Sequence, residues 1–167
     1  MQALVHACPE SVAFQDKGNR LPLHLACASN ASEMTIRTLV ESLPSSIEHI
    51  DSKGMTPIHM LFRATDSDDI DGARYISSNV VSLLTSSKAA KTMNPSNFQY
   101  PLHYACRKNA TIEILQLLVA ANSHALIEMD KKGRTPLHLY LLSSFSFDSC
   151  YIFNSQFFAS LHNNNRM

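Results

Sequence analysis

Apolar positions recur along this chain in two alternating patterns. In the first, Ile36, Leu39, Val40 and Leu43 stand at i, i+3, i+4 and i+7, one stripe of an amphipathic helix. Ile114, Leu115, Leu117, Leu118 and Ala121 repeat the idea, as do Ile76, Val80, Leu83 and Leu84. The second pattern is a shorter apolar run opened by proline, such as Pro22-Leu23-His24-Leu25-Ala26-Cys27. Polar segments precede two of these runs: Asp51-Ser52-Lys53-Gly54-Met55 and Asp130-Lys131-Lys132-Gly133-Arg134. They read as turns in which glycine supplies a positive φ. The unit is therefore turn, short helix, turn, longer helix. No unit buries its apolar face alone, so stability has to come from stacked neighbours.

The short run occurs four times. Leu21-Pro22-Leu23-His24 is followed by Thr56-Pro57-Ile58-His59, Tyr100-Pro101-Leu102-His103 and Thr135-Pro136-Leu137-His138, with the prolines 35, 44 and 35 residues apart. Thr56 and Thr135 are suited to cap a helix, and proline suits its first position. On these residues the chain resembles the ankyrin repeat family, whose signature is Thr-Pro-Leu-His-x-Ala in a unit of about 33 residues. The resemblance implies an all-α, ankyrin-type solenoid of stacked helix-turn-helix repeats joined by hairpin-like turns. It also implies that the repeated histidine braces the turn by hydrogen bonding.

Several copies depart from the pattern. Leu21 and Tyr100 replace the threonine, which removes that cap, and Tyr140 replaces the small alanine of the fourth copy. Asn19 stands where the turn glycine would be in the first copy, which asparagine tolerates. Phe98 stands there in the third, after Asn94-Pro95-Ser96-Asn97, so that hairpin is expected to be distorted. The longer interval places an insertion near Thr65 to Ala73, a polar acidic loop before the second long helix.

The expected organisation is an array over 1–143, with a partial repeat at 1–15 and repeats beginning near 16, 51, 95 and 130. Residues 144–167 form an aromatic-rich tail, a partial or atypical last repeat in which Cys150, Phe153, Phe157 and Leu161 would share one helical stripe. That tail lacks the polar face a capping repeat needs. The chain is thus expected to be a segment of a longer array, or its tail a non-native read-through.

Composition narrows the function. Fourteen Lys+Arg balance fourteen Asp+Glu, which argues against bulk charge-driven binding to nucleic acid or anionic membranes. The balance is uneven along the chain: residues 1–75 hold six basic and ten acidic groups, and residues 76–167 hold eight and four. No secretory signal is visible, and the uncharged stretch Ser149 to Asn165 is too polar for a membrane span. Cys8, Cys27, Cys106 and Cys150 read as reduced thiols of an intracellular protein, cytoplasmic or nuclear.

Candidate chemistry is sparse. His24/Cys27 and His103/Cys106 stand at i, i+3, a spacing that could present metal ligands, but core packing and the repeat's own histidine explain both pairs. Ser67, Asp69, Asp71 and Gly72 match the first half of a calcium loop, yet its twelfth position is Ser78 rather than glutamate. No phosphate-cradling glycine loop, nucleophile elbow or cofactor motif is present. An enzyme is not expected.

The resemblance instead implies protein binding through the hairpin tips and the concave face of the short helices. Mapping the family's exposed positions gives Lys17, Arg20, Ser52, Lys53, Met55, Asn97, Gln99, Lys131, Lys132 and Arg134 at the tips. Ser29, Arg63, Arg107, Lys108 and Leu142 come from the short helices. Nine of the fourteen Lys+Arg fall in this set and no acid does, which points to a basic groove receiving an acidic protein segment, with Arg107 and Lys108 central. The alternatives are a spacer or regulatory array of a larger protein, and a binder of nucleic acid or anionic lipid. The tips lack the aromatic interleaving that single-strand recognition uses.

Overall fold

In a computed structural model, which describes residues 5, 7–63 and 76–144, helices pair off along the chain and no strand forms among the described residues. Four short helices lie side by side: α1 (Pro22–Ala28), α3 (Pro57–Arg63), α6 (Pro101–Arg107) and α8 (Pro136–Ser144). A second layer holds α2 (Glu33–Ser42), α4 (Ser78–Leu84) and α7 (Ile112–Ala121), with a short α5 (Ser87–Lys91) after α4. The architecture is an all-α solenoid.

Proline fixes where each short helix begins, because it sits at or next to the first position, where no backbone donor is required. The orphan N–H just before it goes to the histidine three residues on. Leu21 N–H donates to His24 Nδ1 at 3.2 Å, Thr56 to His59 at 3.2 Å, Tyr100 to His103 at 3.3 Å and Thr135 to His138 at 3.3 Å. Loss of threonine in the first and third copies therefore does not remove the brace. It removes only the added contact of Thr56 and Thr135 Oγ1 with the same nitrogen, 2.8 Å in both. The short helices α1 and α6 end at Asn30 and Asn109, each at φ 51°, where Ala31 and Ala110 N–H return to Ala26 and Ala105 carbonyls. That is a left-handed termination of the Schellman type.

The core runs continuously between the layers. Leu23, Ile58 and Leu102 of the short helices meet Ile36, Leu39, Val81, Leu84, Leu115 and Leu118 of the long ones, all at most 3% exposed. Burying each such side chain is worth about 1.5–3 kcal/mol.

The second repeat corrects the sequence reading. Ile76 lies before α4 rather than on it, and Ser77 caps the helix as Ser32 caps α2. Val81 and Leu84 thus occupy the places of Ile36 and Leu39, one residue away from the alignment of Leu83 and Leu84 with Leu39 and Val40. The insertion expected over 65–73, the calcium-loop residues before Ser78 and the tail stripe lie outside the described residues.

Candidate functional site

Each short helix is preceded by a tight hairpin tip built on one side chain. At Asp16, Asp51 and Asp130, Oδ1 accepts the N–H of residues two and four positions later, at 2.8–3.0 Å. The same aspartate's N–H reaches the carbonyl four residues on, closing five-residue tips at Arg20, Met55 and Arg134. The third tip is one residue longer: Asn94 N–H bonds the Gln99 carbonyl at 2.9 Å. Asn94 Oδ1 accepts only from Ser96 there, and Asn97 Oδ1 accepts from Gln99 N–H. Phe98 takes φ 59°, in the region held by Asn19, Gly54 and Gly133 in the other tips. The distortion expected from the Asn-Pro-Ser-Asn-Phe segment is this extra residue.

Two candidate partner-binding residues are not exposed. Met55 and Gln99 are each 2% exposed, a correction to their placement on the tips. The last position of the tip turns its side chain inward. Where it is arginine, the long chain reaches back to the tip's own carboxylate and leaves its head half-exposed: Arg20 to Asp16 at 2.6 Å, Arg134 to Asp130 at 2.8 Å. Met55 has no such reach and packs inside, 3.8 Å from Arg63. Gln99 donates Nε2 to Asp130 Oδ2 at 2.9 Å and so ties the third tip to the fourth.

The remaining candidates divide by exposure. Lys17, Lys53, Arg63, Lys131 and Lys132 are exposed. Asn97, Arg107 and Lys108 are half-buried; Lys108 follows the last turn of α6, and the Arg107 guanidinium lies 4.9 Å from the centre of the Tyr104 ring. Ser29, Ser52 and Leu142 are exposed as mapped.

Between tips and short helices lie two adjoining cavities. One, about 460 Å³, is lined by Arg20, Asp51, Lys53, Met60 and Arg63 among others. The second, about 260 Å³, is lined by Lys53, Met55, Arg63, Asn94, Ser96, Asn97, Tyr104 and Arg107. Lys53 and Arg63 line both, Arg107 lines the second and Lys108 lines neither. Among the described residues the single carboxylate on these walls is Asp51, which is 5% exposed and already accepts two backbone N–H groups.

Charges at the tips are partly spent internally. The Arg20 guanidinium and the tip's backbone donors hold Asp16 down at about 2. Burial works to raise the Asp130 carboxyl, but Arg134, Gln99 and the backbone donors outweigh it and hold the group well below the usual carboxylate range.

The histidines of the repeat are structural. With Nδ1 accepting, Nε2 carries the proton: His24 donates to the Met55 carbonyl at 3.3 Å and His103 to the Glu128 carbonyl at 3.1 Å. Both nitrogens of each are therefore engaged, which leaves no lone pair for a metal. Burial lowers the pKa of His24 and His103, and that of His59 to about 4. Cys27 and Cys106 are buried thiols, Cys106 pushed up to about 12 by desolvation, hence poor nucleophiles. Among the described residues no cluster of His, Cys, Asp and Glu could hold a metal ion, and no helix is long and apolar enough to cross a membrane.

Sequence reasoning missed Tyr104. It is 3% exposed, and its hydroxyl oxygen accepts from Asn94 Nδ2 and Asn97 Nδ2, both at 2.8 Å. The available signal was a tyrosine where the other copies place Leu25, Met60 and Leu139, together with two asparagines in the tip just before it.

Comparison with known proteins places this geometry. Residues 71–145 match the family model for ankyrin repeats (3 copies). The chain is also similar to alpha-latrotoxin-Lg1a of Latrodectus geometricus, 32% identical over 120 residues, which is 71% of this chain. The match spans 8% of the length of that relative.

Proposed function

The chain is an ankyrin-repeat array, and from that premise we propose that it captures a protein partner in the groove between its tips and short helices. Ankyrin repeats are generally protein-protein interaction modules. The complementary chemistry is an acidic segment. The observation that carries this reading is the wall of the two adjoining cavities, where Lys53, Arg63 and Arg107 converge and the one carboxylate among the described residues is buried. Arginine offers bidentate pairing to carboxylates, and lysines at Lys17, Lys131 and Lys132 extend the field along the tips. The role is binding, without catalysis.

Charge reversal of Lys17, Lys53, Lys131 and Lys132 to glutamate tests it. All four are exposed, so unfolding free energy should stay within about 0.5 kcal/mol per site. Affinity capture compared between wild type and this variant should lose the acidic partners, and added salt should weaken the wild-type capture. Identical capture by both proteins would overturn the reading. Reversal at Arg107 and Lys108 is a poorer test, because Arg107 sits over Tyr104 and Lys108 at the end of α6.

A further inference from the structure

The residue just before each of the last three hairpin tips faces outward and is apolar. His49, Thr92 and Glu128 are half-buried, and the tip residues Asp51, Asn94 and Asp130 are each 5% exposed. Between them stand Ile50, Met93 and Met129, which are 48%, 38% and 60% exposed. This alternation is that of an extended chain, whose successive side chains point to opposite faces. The backbone therefore sets the outward direction, at a position that ordinarily carries a polar residue. Phe98 joins the row. Asn94 and Gln99 form an antiparallel bridge across the third tip and are both buried, while their chain neighbours Met93 and Phe98 lie on the outward side. Phe98 is 44% exposed at φ 59°, a strained place for a bulky residue that the other tips give to Asn19, Gly54 and Gly133. A ring left so far in solvent returns only part of its packing to the fold, so folding alone does not account for phenylalanine there. The three tips stand side by side: Pro95 packs on Gly54, and Lys131 N–H reaches the Asn97 carbonyl at 2.9 Å. None of the four apolar residues lines either cavity of the groove.

We propose that this row docks one amphipathic α-helix of a protein partner, apolar along the stripe that meets Ile50, Met93, Phe98 and Met129 and acidic along its flank. The inference goes beyond the groove reading, because the row lies outside both cavities. Spacing selects a helix. Neighbouring units of a helical stack lie about 10 Å apart, and a helix rises about 10.5 Å over seven residues, so side chains seven apart meet successive tips. An extended peptide passes a tip about every three residues, and its side chains then alternate toward and away from the row. Charge selects the flank: Lys53, Lys131 and Lys132 are exposed on the same tips, beside the row. Methionine, unbranched and polarisable, suits a surface that packs against helical side chains.

The probe is an 18-residue peptide with leucine at positions 2, 5, 9, 12 and 16 and glutamate and alanine elsewhere, titrated into the ¹⁵N-labelled full chain. One control scrambles the same residues so that no leucine stripe forms, and a second carries lysine in place of glutamate. The striped acidic peptide should shift the amide signals of Ile50, Met93, Phe98 and Met129 saturably, and both controls should bind at least about tenfold more weakly. Met93→Ser and Met129→Ser should each weaken binding about threefold to tenfold. Phe98→Gly separates docking from folding: affinity should fall about tenfold while the melting temperature holds or rises, since glycine adopts φ 59° without strain. A lower melting temperature with unchanged affinity in Phe98→Gly would overturn the surface, as would equal binding of either control peptide. Shifts confined to Arg63 and Arg107 would also overturn it, by placing the peptide in the groove. So would row-dependent binding to vesicles of phosphatidylserine and phosphatidylcholine without peptide binding, which would make the row a membrane contact. The groove reading fails separately, on protein capture by the lysine-reversed variant. The row variants keep all four of those lysines, so a loss confined to them belongs to the row.

Discussion

The junction between the second and third repeats differs from the junctions on either side of it. At the first junction, Ser52 N–H donates to the Gly18 carbonyl at 2.9 Å, and His24 Nε2 donates to the Met55 carbonyl. At the last junction, Lys131 N–H donates to the Asn97 carbonyl at 2.9 Å, and His103 Nε2 to the Glu128 carbonyl. The middle junction has neither bond among the described residues. Its third tip places Pro95, which has no N–H, where Ser52 and Lys131 stand. His59 Nε2 is buried and, although the Gln99 backbone is near enough to favour its protonated form, it meets no partner at hydrogen-bond geometry. What holds this junction at the tips is apolar contact, with Phe62, Ile58 and Leu61 at no more than 1% exposure, and the packing of Pro95 against Gly54; in the second layer Asn122 Nδ2 donates to the Ala90 carbonyl at 3.1 Å. The lesson is that a solenoid can trade the directional links between its tips for packing at one seam.

Acid should break the array most strongly. Burial depresses the pKa of His24, His59 and His103 in the folded chain, so the unfolded chain binds more protons once the pH drops below the ordinary histidine value of 6.5. Stability is therefore full above about pH 6.5 and declines as the pH falls, for His59 down to about 4. Each histidine contributes a slope of up to about 1.4 kcal/mol per pH unit within its window. Carboxylates such as Asp16, held down at about 2, add to the loss only below their unfolded value of 3.8. Urea unfolding at pH 7, 6, 5 and 4 should show this decline, and His59→Asn should flatten its lower half. A flat profile between pH 6.5 and 4 would mean the core histidines do not stay neutral.

Glycine substitutions sharpen the comparison at the tips. Gly54 and Gly133 occupy equivalent places at φ 74° and 71°, so alanine strains the backbone of both by about 1–2 kcal/mol. A Cβ at Gly133 meets nothing within 4 Å, whereas one at Gly54 would lie 2.4 Å from Pro95 Cδ. The proline ring is tied to the backbone and cannot rotate away. Gly54→Ala should therefore cost about 3 kcal/mol or more and Gly133→Ala about 1–2 kcal/mol, measured by thermal or urea unfolding. Equal losses would show that the seam has slack.

Much of this was legible in the sequence, for identifiable reasons. The prolines and histidines of the short helices are read directly because each has one local job, starting the helix and accepting the N–H before it. Asn19 and Phe98 align with the tip glycines in the sequence, and both take the positive φ of that position, although for Phe98 the sequence suggests only a distorted hairpin. Met55 and Gln99 were misplaced because exposure at the last tip position depends on what the side chain can reach across the fold. The offset in α4 arose because the second unit changes length in several places at once. Ser77 follows Ser32 by 45 residues and Asn94 follows Asp51 by 43, so one insertion could not account for the whole interval. Tyr104 was missed since its importance lies in its partners, and hydrogen bonds between side chains leave no periodic trace.

The smallest expected effect isolates the missing link itself. Pro95→Ala restores an N–H that, in the geometry of Ser52 to Gly18, would face the Lys53 carbonyl. The new bond is worth about 0.5–1.5 kcal/mol. Against it, replacing proline frees the unfolded chain and costs about 0.4–1 kcal/mol, so net stability should move by less than about 0.5 kcal/mol. Hydrogen exchange separates the two contributions, because a bonded amide at position 95 exchanges slowly while an unbonded one at an exposed tip does not. Combining the change with Gly54→Ala goes further. If the Pro95 ring is what the Gly54 Cβ strikes, the double variant should recover at least about 1 kcal/mol of the loss in Gly54→Ala, a coupling well outside additivity. Strict additivity would place the strain in the Gly54 backbone alone, and not in a clash with the proline ring.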